Sequence, residues 1–201
     1  MLLSRRTVTL VDLAGDATWT RDLVLVVGAS LLTGLLAQAE IRLPWTPVPV
    51  TLQPLAVFLL GAALGSRRAA LAMSLYLIEG ASGLPFYAGG AAGPAHLVGP
   101  TGGYLVGFVP AAFVTGWFAE RGWDRTPIRT AVAMLAGSAL LFACGLAQLA
   151  LWVGREQVLR VGLYPFVVGD LLKIAVAALL LPALWAGLER LGLAPRPGGG
   201  R

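Results

Sequence analysis

TAVAMLAGSALLFACGLAQLALWV (Thr130–Val153) runs for 24 residues without one that carries a charge. A helix of about 20 apolar residues crosses a bilayer, so this stretch reads as a transmembrane helix. Working outward, further apolar runs lie at Gly102–Phe118 and Pro165–Leu188, and toward the N-terminus at Asp22–Ala39, about Leu52–Leu64 and about Ala69–Ala81. The expected fold is therefore an all-α integral membrane protein of six transmembrane helices. The runs at about Leu52–Leu64 and about Ala69–Ala81 are short for full spans, and Pro54 and the glycines predict kinks or partial crossing. The first run reads as a retained helix rather than a cleaved leader, because its polar approach lacks the form of a signal sequence. The expected division is a cytoplasmic tail over 1–21, a membrane domain over 22–189 and a second tail over 190–201.

Composition agrees with the runs. Of 201 residues, 57% are hydrophobic and 12% charged, and mean hydropathy is +0.79; a soluble domain carries roughly a quarter charged residues. Six spans leave room only for loops and tails, so no separate soluble catalytic domain fits. Cys144 is the single cysteine and His96 the single histidine, which excludes an internal disulfide and a clustered metal site. No phosphate loop, nucleophile elbow or HExxH helix is present. The expectation is no catalytic residue, no cofactor, no metal and no enzyme.

A net charge of +5 could suggest nucleic acid, but the basic residues are spread between apolar runs and set membrane orientation instead. Eleven fall on the side of the termini (Arg5, Arg6, Arg21, Arg67, Arg68, Arg121, Arg125, Arg129, Arg190, Arg196 and Arg201) and three opposite (Arg42, Arg155 and Arg160). Both termini are thus expected in the cytoplasm.

Two connections differ in character from the rest. Ile41–Gln53 holds Pro44, Pro47 and Pro49, whose alternation forbids helix and predicts a stiff, extended segment. Leu84–Pro100 has no Lys or Arg and holds Gly89, Gly90, Gly93 and Gly99. That freedom suits a cover over a helix or a ligand.

Ionisable groups inside membrane helices are costly unless paired or wet, and three qualify. Asp170 and Lys173, three apart near the outer end of the last run, share one helix face. They read either as a pair that grips a polar ligand or as an ion pair that ties two helices. Glu79 is expected to reach water, His96 to be a solvated loop residue and Cys144 to fill apolar space. Ala29, Thr33 and Ala37 recur every four residues on the first helix, a small-residue stripe that suits close helix approach, either within the chain or to a partner-docking subunit.

IRLPWTPVPVTLQPLAVFLLGAALGSRRAALAMSLYLIEGASGLPFYAGG (Ile41–Gly90), GPTGGYLVGF (Gly99–Phe108) and GDLLK (Gly169–Lys173) together resemble the BioY family, the biotin-specific substrate-capture (S) components of energy-coupling factor (ECF) transporters. The similarity covers about Ala29–Leu181. It implies six helices, an extracytoplasmic cavity, and gating loops that coincide with the two connections above. It implies that Asp170 and Lys173 match the family's ligand-contacting pair and that Tyr104 matches an aromatic near the pocket, with Phe86, Tyr87 and Trp45 suited to the thiophane ring of biotin. The implied partners are biotin, an energy-coupling transmembrane subunit, two ATPase subunits and the lipid bilayer, with no nucleic acid; the implied location is the cell membrane, multi-pass. Ala29, Thr33 and Ala37 resemble the family's docking motif, with Thr33 a departure from it, and Glu79 stands where the family leads one to expect an uncharged residue. A self-sufficient secondary vitamin transporter with an intramembrane carboxylate, Asp170 or Glu79, is the alternative in another class. An intramembrane enzyme would require a nucleophile or metal set that the chain lacks.

Overall fold

The computed structural model describes residues 8–15 and 18–194. Arg5, Arg6, Arg196 and Arg201, which entered the expected charge asymmetry, lie outside the described residues, as do part of the first expected tail and most of the second.

Among the described residues six helices of 12 residues or more form the bundle: α1 (Trp19–Ala37), α2 (Gln53–Leu64), α3 (Ser66–Ala81), α5 (Gly102–Ala119), α6 (Pro127–Val153) and α8 (Tyr164–Arg190). Two short ones sit in connections, α4 (Ala95–Val98) and α7 (Val158–Gly162). The hub is α5, packed against α2, α3 and α6, while α1 lies on α3 and α2, and α8 on α6 and α2. Val57, Phe58, Met73, Tyr76, Met134 and Leu181 fill the space between them. The long helices run alternately up and down, as the contacts at the two ends of the bundle show.

One end gathers the arginines. Arg68 at the start of α3 pairs with Asp12 and Asp22, each at 2.8 Å, and Glu120 Oε1 accepts from the backbone and hydroxyl of Ser66. Arg125 donates to the Val8 carbonyl at 3.1 Å and lies over the Trp185 ring, whose Nε1 donates to Asp124 at 2.6 Å. Gly65, with φ +81°, turns α2 into α3 in one residue, a backbone state open in practice only to glycine.

Among the described residues four helical segments are long and apolar enough to cross a membrane: α1, α5, α6 and the run Val158–Arg190. At 1.5 Å per residue, the 12 residues of α2 and 16 of α3 span roughly 18 and 24 Å, short of a hydrocarbon core of about 30 Å. The connections they carry fold back against them instead. Pro54 does not kink α2, because it sits in the first turn, where its missing N–H breaks no helical bond.

The proline-rich segment is free of helix up to Leu52, as its alternation predicts, but it is extended only at its edges: β1 (Glu40–Ile41) and β2 (Val50–Thr51) pair antiparallel, with Glu40 opposite Thr51 and Ile41 opposite Val50, and Pro44, Pro47 and Pro49 lie in the irregular turn between them. The stripe on α1 corrects the docking expectation. Thr33 and Ala37 are 0% exposed and Ala29 is buried; the Thr33 hydroxyl bonds the Ala29 carbonyl at 2.8 Å and rests on Met73 of α3. Small side chains here let α1 lie close on α3 within the chain, so the stripe is not available to another subunit.

Candidate functional site

At the end of the bundle opposite the arginine cluster, a cavity of about 570 Å³ opens between the β1–β2 hairpin, the glycine-rich connection and four of the long helices. The hairpin contributes Glu40, Arg42 and Thr46, and the start of α2 contributes Gln53. Tyr87, His96 and Thr101 come from the connection between α3 and α5. Tyr104 and Phe108 of α5, Phe142 of α6, and Phe166, Asp170 and Lys173 of α8 complete the wall.

The polar centre is one pair. Lys173 Nζ donates to Asp170 Oδ1 at 2.9 Å, with side chains 11% and 7% exposed. The bond closes within α8, three residues apart, so it does not tie two helices; that reading of the pair is corrected. Its charges balance each other in an aromatic surround, which leaves the second carboxylate oxygen and the remaining ammonium protons for a polar guest.

Tyr104 donates its hydroxyl to the Gly162 carbonyl at 2.8 Å, and its ring stands against Phe142 and Phe166 with centroids 6.2 and 6.4 Å away. With the hydroxyl committed, the ring is the part it offers to a ligand. Tyr87 is buried, donates to the Leu77 carbonyl at 2.7 Å and packs edge-on against Tyr76; burial pushes its phenol up. Trp45 and Phe86 do not belong to the cavity lining, a correction to their expected place. Trp45 is 62% exposed, while the Phe86 ring lies on Gly34 of α1.

Hydrogen bonds hold the covering segments down. Thr51 Oγ1 donates to Gln53 Oε1 at 3.0 Å, Gln53 Nε2 donates to the Tyr76 hydroxyl, and that hydroxyl donates to the Phe86 carbonyl at 3.1 Å. This chain links hairpin, α2, α3 and the glycine-rich connection. Gln38 at the end of α1 donates to the carbonyls of Pro85 and Tyr87. Gln148 of α6 donates to those of Leu97 and Gly99 at 2.8 and 2.7 Å.

Glu79 and His96 are each half-buried, and each keeps part of its side chain in contact with water. One atom of each, Glu79 Oε2 and His96 Nδ1, is shut from water and has no hydrogen-bond partner among the described residues, and the His96 ring lies 6.0 Å from that of Tyr87. Sequence reasoning also passed over Glu40, Arg42, Gln53, Phe142 and Phe166. For Gln53 the signal was its position where the proline-rich segment meets a helix; for the two phenylalanines no signal existed, since an apolar run does not say which of its faces turns inward.

The BioY family model matches residues 6–190. A biotin transporter BioY of Rhizobium etli is 40% identical over 177 residues, covering 84% of this chain and 95% of that one. A biotin transporter BioY of Thermotoga maritima is 40% identical over 157 residues, 77% and 92% of the two chains. The crystal structure of the S-component for biotin from an ECF-type ABC transporter shares the fold, with a TM-score of 0.72, 22% identity, and coverage of 84% of this chain and 94% of that one. The chain belongs to the BioY family, one of transporters and not of enzymes.

Proposed function

We propose that this BioY-family chain is the biotin-capturing subunit of an ECF-type importer. Its membrane domain, 22–189, crosses the cell membrane six times with both tails cytoplasmic. It takes biotin from the outer face and releases it inward only with an energy-coupling transmembrane subunit and two ATPases. The arginine cluster at the end away from the cavity supports this orientation through the positive-inside rule.

The observation that carries the reading is the Asp170–Lys173 pair facing an aromatic-walled cavity of about 570 Å³. The ureido ring of biotin offers two N–H donors and one strong carbonyl acceptor. Asp170 accepts from the ring and Lys173 donates to it, so both charges stay satisfied when water is expelled. Tyr104, Phe108, Phe142 and Phe166 supply apolar surface for the thiophane ring, and Tyr87 backs the cover above it. No bond of the vitamin is made or broken; the chain binds and moves it.

Equilibrium binding of biotin and a panel of other vitamins to the purified protein tests the reading. Selective biotin binding is the expected result. Failure to bind biotin, or equal binding of many vitamins, overturns it.

A further inference from the structure

The cavity carries a second charged pair, at its rim. Arg42 Nε donates to Glu40 Oε1 at 2.8 Å, and Arg42 is the most exposed charged side chain of the two pairs at 72%, against 11% for Lys173. The pair is braced by backbone: Gly89 is in the left-handed region at φ +65°, and a Cβ there would lie 2.7 Å from Arg42 Nη2 and collide with Glu40. The rim of the hairpin and the glycine-rich cover therefore meet through this ion pair.

Building on the biotin reading, we propose that Arg42, oriented by Glu40, recognises the carboxylate of the ligand and thereby fixes its direction in the cavity. A guanidinium carries five N–H donors in a rigid fork. Glu40 takes the Nε donor, and among the described residues no hydrogen bond engages the Nη groups, so the Nη1–Nη2 edge is left to take a carboxylate with two parallel bonds. Lys173 is the other cation in the wall, and charge counting excludes it as the carboxylate's seat. A ligand carboxylate beside Lys173 would join Asp170 there, placing two negative charges on one ammonium in a nearly dry site, where desolvation outweighs attraction. At the exposed rim the same excess charge is screened by water. The ureido end thus goes inward to the neutral pair and the acid end outward to Arg42.

Biotin and biotinamide, which differ only in charge at that end, are titrated against the wild type, Arg42→Gln and Arg42→Lys. The ratio of the two affinities within one protein is read, so a partly misfolded preparation lowers both values and leaves the ratio. The wild type is expected to favour biotin by about tenfold, the size of one charge-assisted contact. Arg42→Gln is expected to bring the ratio to within about twofold, and Arg42→Lys, which keeps charge and loses the fork, to fall between. Raised salt lowers the wild-type ratio. A ratio unchanged in Arg42→Gln, or one abolished by Lys173→Met instead, overturns the assignment while biotin binding itself stands. Binding of neither ligand by the wild type overturns the biotin reading and this assignment with it.

Discussion

Replacing Asp170 by Asn keeps the shape of the side chain and removes its charge, which isolates what the ion pair does. In the wild type the Lys173 ammonium has its counterion at 2.9 Å and is 11% exposed. In the variant it faces an amide dipole in a nearly dry place. Removing one member of such a pair costs about 3–5 kcal/mol, because the other charge stays buried without compensation. Lys173→Met should be damaging by the same argument with the sign of the orphaned charge reversed. The double variant Asp170→Asn/Lys173→Met leaves no uncompensated charge and should lose less than the two single losses added, with a coupling of roughly 1–3 kcal/mol. Binding separates from folding here. The double variant should fold, yet bind biotin at least about tenfold more weakly, since each charge-assisted bond to the ligand contributes roughly 1.5–3 kcal/mol. Denaturation in detergent with and without biotin, paired with titration calorimetry, reads both quantities. Additive single losses, or a double variant that binds biotin as tightly as the wild type, would refute the reasoning.

Other perturbations probe other parts of the molecule. Ala37→Trp, placed where exposure is 0%, should lower the melting temperature and biotin binding together, an overpacking loss of about 1–3 kcal/mol or more; reduced uptake with unchanged binding would restore the stripe to a docking role. Tyr76→Phe removes the hydroxyl that joins Gln53 to the Phe86 carbonyl and should speed hydrogen exchange over 84–100, whereas added biotin should slow it in the wild type; exchange unaltered by either would sink the view of these segments as a closing cover. Gly65→Ala forces a side chain into φ +81° with Glu120 Oε1 2.9 Å away and should cost about 1–3 kcal/mol in unfolding measurements. Burial raises the Asp12 carboxyl, but the Thr9 amide and Arg68 outweigh it and hold it below its ordinary value of 3.8. A lowered folded pKa gives stability that is complete above the unfolded value and lost as pH falls through the folded one. Protease access to the segment before α1 should therefore rise on acidification below about 3.8 in the wild type and show no such step in Asp12→Asn.

Much of the plan was legible because it rests on local rules. An apolar run too long for a soluble helix has few places to go but lipid, so the runs over 102–118, 130–153 and 165–188 found their helices to within a few residues. Alternate prolines exclude helix, and the segment stays non-helical up to Leu52, but that it turns back on itself as a hairpin is a pairing the prolines do not specify. Asp170 and Lys173 stood out because charge in an apolar run has to be compensated, and their spacing of three already placed them on one face. The direction in which a face turns is a different kind of fact. Ala29, Thr33 and Ala37 make the same stripe whether they meet α3 or another subunit, and the pattern is silent between them; the position of Met73, forty residues away in sequence, decides it. Phe142 and Phe166 line the cavity while Phe86 lies on Gly34, although all three are phenylalanines in apolar or glycine-rich surroundings. Glu40, Arg42 and Gly89 come together only when the hairpin and the glycine-rich connection fold over the same opening. Composition and periodicity act through the solvent that each residue meets on its own, which the chain carries with it; a binding site depends on which distant residues share one space, and packing of the helices creates that space.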